Sequence, residues 1–166
     1  MPSETSKPSI DLTQFLSHQY LCESLTVAEV NTLLDYLTLM NLKDGDILSD
    51  IGDVGEALYF VVKGEMALTF DADGRDNEIV RAGPGEMLGE MSFFDKQPRS
   101  VRLVAKAADT QVLKLSRPMY KRMKVEHPYI AINIVEHAII SLDHLFRRVS
   151  QDFAQFSHYF YGVGKK

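Results

Sequence analysis

Between positions 83 and 100 the chain reads GPGEMLGEMSFFDKQPRS, and packing alone gives no reason for three glycines, a glutamate at 90 and an arginine at 99 to stand so close together. Gly89, Glu90, Met91, Ser92 and Phe93 can close a single helical turn. The first backbone N–H groups of such a turn have no intrahelical acceptor, so they attract an anion through their hydrogens and the local dipole. Gly89 lets the backbone come close to that anion. Arg99, whose approach is set by Pro98, brings one full positive charge, and Ser100 adds a hydroxyl donor. One arginine with a few amides suits a singly charged phosphodiester, because a triphosphate would call for a lysine and a metal site as well. Glu90 would repel any phosphate unless the ligand offers its carboxylate a hydroxyl, as the 2'-hydroxyl of a ribose does. A nucleoside whose 3' and 5' oxygens are tied into one phosphodiester has both features: one negative charge and one free ribose hydroxyl.

Such a turn has to be held between rigid elements, and the flanking sequence supplies short strands. The stretch DGDILSDIGDVGEALYFVVKGEMALTFDADGRDNEIVRAGPGE places glycines at 45, 52, 55, 64, 74, 83 and 85, the turn spacing of a compact antiparallel sandwich or barrel. LYFVV is apolar on both faces and reads as a central strand. In EMALTF, Met66, Leu68 and Phe70 alternate with Glu65, Ala67 and Thr69, which predicts one face in a core and one toward water. A further β pattern runs from Val101 to Leu115, so residues 83–100 interrupt a barrel between two strands.

Helical patterns flank the strands. Residues 1–9 read as a loose leader, and residues 10–41 as a helical segment in which Val30, Leu33, Leu34 and Leu37 share a face and Thr26 and Glu29 form a capping box. The β-roll follows over 42–127, with a short helix opened by Pro118 and running through Val125. Pro128 opens a longer helix over 128–161, and a tail occupies 162–166. Along that helix Val135, Ile139, Leu142, Phe146, Val149, Phe153, Phe156 and Phe160 repeat at alternating steps of 4 and 3, an apolar seam of period 3.5. A helix of this length spans about 50 Å at 1.5 Å per residue, longer than one face of a domain this size. The seam calls for a partner, either a second copy in a parallel homodimer or the chain's own barrel and N-terminal helices.

The 166 residues, with 45% hydrophobic and 25% charged, suffice for one well-buried core. A formal charge of −5 argues against a general nucleic-acid or anionic-membrane binder. Cys22 is the only cysteine, which excludes an intramolecular disulfide and a cysteine-based zinc site and points to a reducing compartment, the cytoplasm by default. The N-terminus lacks an apolar signal core, and the longest unbroken apolar run, 57–62, is far short of a membrane span.

From about Leu42 to Arg148 the chain resembles the cyclic nucleotide-binding domain of the bacterial catabolite activator protein, of the regulatory subunits of cyclic-AMP-dependent protein kinase and of cyclic-nucleotide-gated channels. GDILSDIGDVGEALYFVVKGE, GPGEMLGE and PRS carry the resemblance, in that order. It implies a mainly β fold: an eight-stranded antiparallel β-roll (a jelly roll, or double-stranded β-helix) with N-terminal helices and a long C-terminal helix. It implies cyclic AMP, or cyclic GMP, as ligand, with no other cofactor and no metal. Amides near Gly89 and Met91, with Arg99 and Ser100, would hold the phosphate and Glu90 the ribose; Ser92 and Val101 complete the implied ligand-binding set. The long helix would cover the base and form a dimer seam.

Three departures stand out. Val101 replaces a commonly small residue, and so either narrows the pocket or packs in the core. In the catabolite activator branch a hydroxyl pair on the long helix reads the purine; here that place falls on Leu145 and Phe146, with Ser141 and His144 within a turn as base readers or plain polar-face residues. After the helix only FYGVGKK remains, without room for a DNA-binding winged helix, so output is expected to pass to an effector protein. Three functions compete: a cytoplasmic cyclic nucleotide sensor, a roll that has lost its ligand and serves dimerisation, and a metal-dependent enzyme. The last is disfavoured because His18, His127, His137, His144 and His158 all fall outside the strands of the barrel region.

Overall fold

A strand can be apolar on both faces only if something covers each face, and Ala57–Lys63 meets that condition by lying between two cores. In the computed structural model, which describes residues 2–5, 15–16 and 19–161, Leu58 and Phe60 point to a helical layer while Tyr59 and Val61 point into the roll. The strands are β1 (Ser3–Thr5), β2 (Thr38–Leu42), β3 (Ile47–Ser49), β4 (Ala57–Lys63), β5 (Met66–Ala72), β6 (Arg75–Ala82), β7 (Met87–Leu88), β8 (Arg102–Ala105) and β9 (Thr110–Ser116). One sheet runs β1-β2-β9-β4-β7 and the other β3-β8-β5-β6. Strands β2 to β9 form the eight-stranded antiparallel roll, four strands to a sheet, and β1 is an additional edge strand.

The roll interior is filled by Met40, Leu42, Tyr59, Val61, Met66, Leu68, Leu88, Leu103 and Val112. The second core lies outside the first sheet, where Leu58, Phe60, Leu113 and Leu115 pack against α1 (Val27–Leu34), α3 (Arg117–Glu126) and α4 (Pro128–Tyr161). A short helix α2 (Glu90–Asp95) follows β7 and is anchored there by Phe93, which is fully buried in this second core. Helix α1 starts at the expected capping box: Thr26 Oγ1 accepts from the Glu29 N–H at 3.2 Å, and Glu29 Oε2 accepts from the Thr26 N–H at 2.7 Å. Cys22 sits in the same core, where burial pushes its thiol up to about 12.

Several expectations need correction. The helical reading of 10–41 ends too late, because Thr38–Leu42 is a strand that places Met40 and Leu42 in the roll and pairs with β9. Before α1 the described chain is a 3-10 turn, Tyr20–Cys22, and a helical pair at 15–16; residues 10–14 and 17–18 lie outside the described residues. Within the leader, Ser3–Thr5 pairs with β2 instead of standing loose. Phe70 is 38% exposed and Thr69 is buried, the reverse of the alternation predicted. The pairing of β5 with β8 stops at Thr69, so Phe70 lies on a two-stranded ribbon that projects past the roll and has no core to face.

Helix α4 runs from Pro128 to Tyr161 as its sequence predicts. Ile130, Ala131, Ile134 and Ala138 bury one stripe against the body, while Ile139, Phe146, Val149 and Phe153 stay exposed. The seam therefore does not fold back over the roll along this stretch; the side chains of Phe156 and Phe160 lie outside those described. By length and composition 128–155 is also apolar enough to cross a membrane, yet the buried stripe of this stretch is packed on protein.

The turn between β4 and β5 yields a stability test. Gly64 has φ +78°, and a Cβ there would lie 2.5 Å from Thr110 Oγ1 and 2.8 Å from the Thr110 Cα. Gly74, at φ +72°, has nothing within 4 Å of the same position. Both alanine variants carry the left-handed strain of about 1 to 2 kcal/mol, but only Gly64→Ala adds overlap with backbone. Thermal melts are expected to show Gly64→Ala lowered by roughly 6 to 12 °C, for a loss of about 3 kcal/mol, and Gly74→Ala by about one third to two thirds as much, from the strain alone.

Candidate functional site

The tight connection from β7 to α2 depends on Gly89. Its backbone is left-handed, with φ 94°, and it caps the first turn of α2. A Cβ at this position would meet the Ala57 carbonyl at 3.0 Å, Arg99 Nη2 at 3.2 Å and the Tyr59 ring at 3.3 Å, so the backbone passes as close to the arginine as a glycine allows. The next residue, Glu90, is only 6% exposed and projects from the first turn of the helix. Arg99 is also 6% exposed and arrives from the loop after α2. The Arg99 N–H donates to the Asp53 carbonyl, and its own carbonyl accepts from the Gly52 N–H, both at 2.8 Å, so the loop before β4 clamps the arginine backbone. The guanidinium Nε donates to Ser49 Oγ at 2.8 Å, and Nη2 reaches the Gly89 carbonyl at 3.4 Å.

Arg99 and Glu90 line one cavity with Gly89, Met91 and Val101. Leu68, Val80, Ala82, Leu88 and Leu103 of the roll form its apolar wall, and Ser141, Leu145 and Arg148 of α4 close it from above. The void left between them is about 40 Å3, room for roughly two or three waters. Among the described residues no carboxylate forms an ion pair with Arg99; Glu90 and Asp53 support its charge from a distance. Val101 serves both alternatives, being 7% exposed within the roll core and facing the cavity.

Some of the expected site residues go elsewhere. Ser92 is buried, and its hydroxyl accepts from the Gly55 N–H and donates to the Gln97 carbonyl, each at 2.6 Å, so it holds the loop together and does not face the cavity. Ser100 is exposed and lines a cleft on the other side of Arg99, beside Asp95 and Gln97. His144 and Phe146 are exposed and outside the cavity, Phe146 by 71%. Helical geometry explains the split: Ser141, Leu145 and Arg148, at steps of 4 and 3, share one face of α4. Arg148 was not anticipated, although counting that period onward from Ser141 finds it. Its Nη2 donates to Glu86 Oε1 at 2.8 Å, across the rim of the cavity.

Burial is the largest influence on both charged groups. It pushes the Glu90 carboxyl above its ordinary value of 4.5, while its own backbone N–H, the Ser141 hydroxyl and the Arg99 charge act in the opposite direction. It works against the Arg99 charge in turn, which Tyr59, Glu90 and Asp53 favour. An acid raised in the folded state contributes stability that is present below its unfolded value and lost as pH rises through the folded one. Melting the wild type and Glu90→Gln between pH 4 and 8 is therefore expected to show the variant gaining on the wild type as pH rises above about 4.5; a pH-independent difference would overturn the assignment.

The sequence model of the Cyclic nucleotide-binding domain matches residues 39–127, more than half of the chain. The chain is 34% identical over 115 residues to the Cyclic AMP receptor protein of Thermus thermophilus, covering 69% of this chain and 53% of that one. It is 28% identical over 127 residues to the cAMP-dependent protein kinase regulatory subunit of Debaryomyces hansenii, covering 75% and 27%. It thus spans about half the length of the first relative and about a quarter of the second. The crystal structure of a cyclic nucleotide-binding domain from Methylobacillus flagellatus shares the fold, with a TM-score of 0.75 at 23% identity over 87% of this chain and 82% of that one. With the two-sheet roll, the α2 turn and the long covering helix already in place, the chain belongs to the cyclic nucleotide-binding domain family.

Proposed function

We propose that the chain is a cytoplasmic cyclic nucleotide sensor that takes cyclic AMP, or cyclic GMP, and passes a change in the position of α4 to an effector protein, without catalysing a reaction itself. One observation carries this reading: a buried guanidinium, ion-paired by no carboxylate among the described residues, and a buried carboxylate line the same cavity, across Gly89. A buried charge without a counterion is costly, and a monoanionic ring phosphate supplies the missing one. Glu90 then takes the ribose hydroxyl, which keeps the carboxylate from facing the phosphate. The apolar wall and Leu145 offer the base a dry surface but no pattern of donors specific to adenine.

A second reading, a roll that keeps its shape for dimerisation alone, is favoured by the small void and by Val101 at its wall. Calorimetry with cyclic AMP and cyclic GMP separates the two. Arg99→Ala is expected to weaken binding roughly 10-fold to 150-fold, for a charge-assisted contact of about 1.5 to 3 kcal/mol, with folding intact. No heat from the wild type at millimolar ligand selects the second reading, and Arg99→Ala that unfolds while binding is kept makes the arginine structural.

The exposed stripe on α4 supports a parallel homodimer. Ile132, Ile139, Phe146 and Phe153 lie seven residues apart and are 55 to 71% exposed, a coiled-coil seam that a second copy of the same helix matches in register. Phe153→Glu would bury an unpaired charge at a cost of about 3 kcal/mol, which is roughly a hundredfold in dimer affinity. Sedimentation is expected to find that variant monomeric where the wild type is dimeric; a persistent dimer moves the interface elsewhere.

A further inference from the structure

The carboxylate assigned to the ribose already holds a hydroxyl. Ser141 Oγ lies 2.9 Å from Glu90 Oε1, placed to donate to it, and 3.4 Å from the Met87 carbonyl. The serine comes from α4, and one and two turns further along the same face Leu145 and Arg148 close the cavity, with Arg148 tied to Glu86. With these three in place, the void of about 40 Å3 cannot admit a nucleotide. Entry therefore requires this part of α4 to lift, and lifting breaks the contact between Ser141 and Glu90. A serine hydroxyl and a ribose 2'-hydroxyl offer a carboxylate the same single donor.

We propose that Ser141 is a built-in competitor of the ligand: its hydroxyl takes the place of the ribose hydroxyl on Glu90, holds α4 down over the empty cavity, and is exchanged for the ribose when a cyclic nucleotide enters. This rests on the nucleotide-binding reading above. The exchange couples binding to helix position through one oxygen atom. A ligand hydroxyl that takes Glu90 Oε1 gains its hydrogen bond by costing α4 one of its own, and the freed helix carries the signal. Ser141 thereby sets the affinity threshold of the sensor.

A competitor and a ligand contact have opposite consequences on removal, and this decides the test. Cyclic AMP binding is measured by calorimetry for the wild type, Ser141→Ala, Glu90→Ala and the double variant. Ser141→Ala is expected to bind roughly tenfold tighter than wild type, from loss of a charge-assisted bond that binding must break. In the Glu90→Ala background the same substitution is expected to change affinity less than twofold, since the two residues act as one pair. Spin labels on His144→Cys and Ala108→Cys, both at exposed positions, provide a readout without ligand: the distance between them is expected to lengthen or broaden when Ser141→Ala is added. Unchanged or weaker binding by Ser141→Ala, while the wild type binds, overturns the exchange and leaves the sensor reading standing. Wild type and variants that all fail to bind cyclic AMP and cyclic GMP at millimolar concentration overturn the sensor reading and the exchange with it.

Discussion

The burial of Arg99 constrains everything around it. Removing a guanidinium from water costs several kcal/mol unless its donors are satisfied and its charge is met, and the chain meets each of these demands only in part. Ser49 takes one N–H and the Gly89 carbonyl lies near another, while the backbone of the arginine is clamped to Gly52 and Asp53. Room for the head group is made by glycine: a Cβ at Gly55 would come within 2.9 Å of Nη2, and one at Gly89 within 3.2 Å. Two loops far apart in sequence thus give up their side chains to the same cation. The Ser92 hydroxyl, bridging Gly55 and Gln97, fastens those loops to each other.

A charge held this way is useful only if its surroundings can respond, and the two cores place the response in α4. The first sheet is covered on both faces, so it is the rigid partner; the helix packs on its outer core through Ile130, Ile134 and Ala138 near the start and makes polar contacts to Glu90 of α2 and to Glu86 through Ser141 and Arg148 further along. Apolar packing is strong and hard to exchange, whereas a hydroxyl or guanidinium contact to a carboxylate can be traded for an equivalent one. The first half of α4 is therefore built as an anchor and its middle as a latch. The exposed stripe on the other face of the same helix means that any movement of the latch is presented to whatever covers that stripe.

How much of this was legible in the sequence depended on the range of the interaction concerned. The capping box at Thr26 and Glu29, the glycine turns and the start of α4 at Pro128 are set within a few residues, and each was read correctly. The helical reading of 10–41 carries the period of Val30, Leu33, Leu34 and Leu37 on into residues 38–41; pairing of Thr38–Leu42 with β9, about seventy residues later, makes that stretch a strand. Phe70 was placed inside because alternation says nothing about where the neighbouring strand ends. Within the site, Gly89, Glu90 and Arg99 stood out by residue type. Ser92 enters the ligand-binding set through the family resemblance, and only its hydrogen bonds to Gly55 and Gln97 place its hydroxyl inside the loop.

The sequence by itself determined the kind of chemistry: a guanidinium, a carboxylate and a glycine-opened turn within eleven residues, in a chain whose glycine spacing and apolar alternation allow a β-roll. These are local facts, since backbone conformation and side-chain charge need no distant partner to be read. Only the tertiary structure decided that the arginine is buried with no ion pair among the described residues, that Ser141 and not His144 faces the glutamate, and that Arg148 closes the rim. Those outcomes depend on how a long helix lies across a sheet formed from distant segments, and the rotation of a helix about its own axis is set by the surface it packs on.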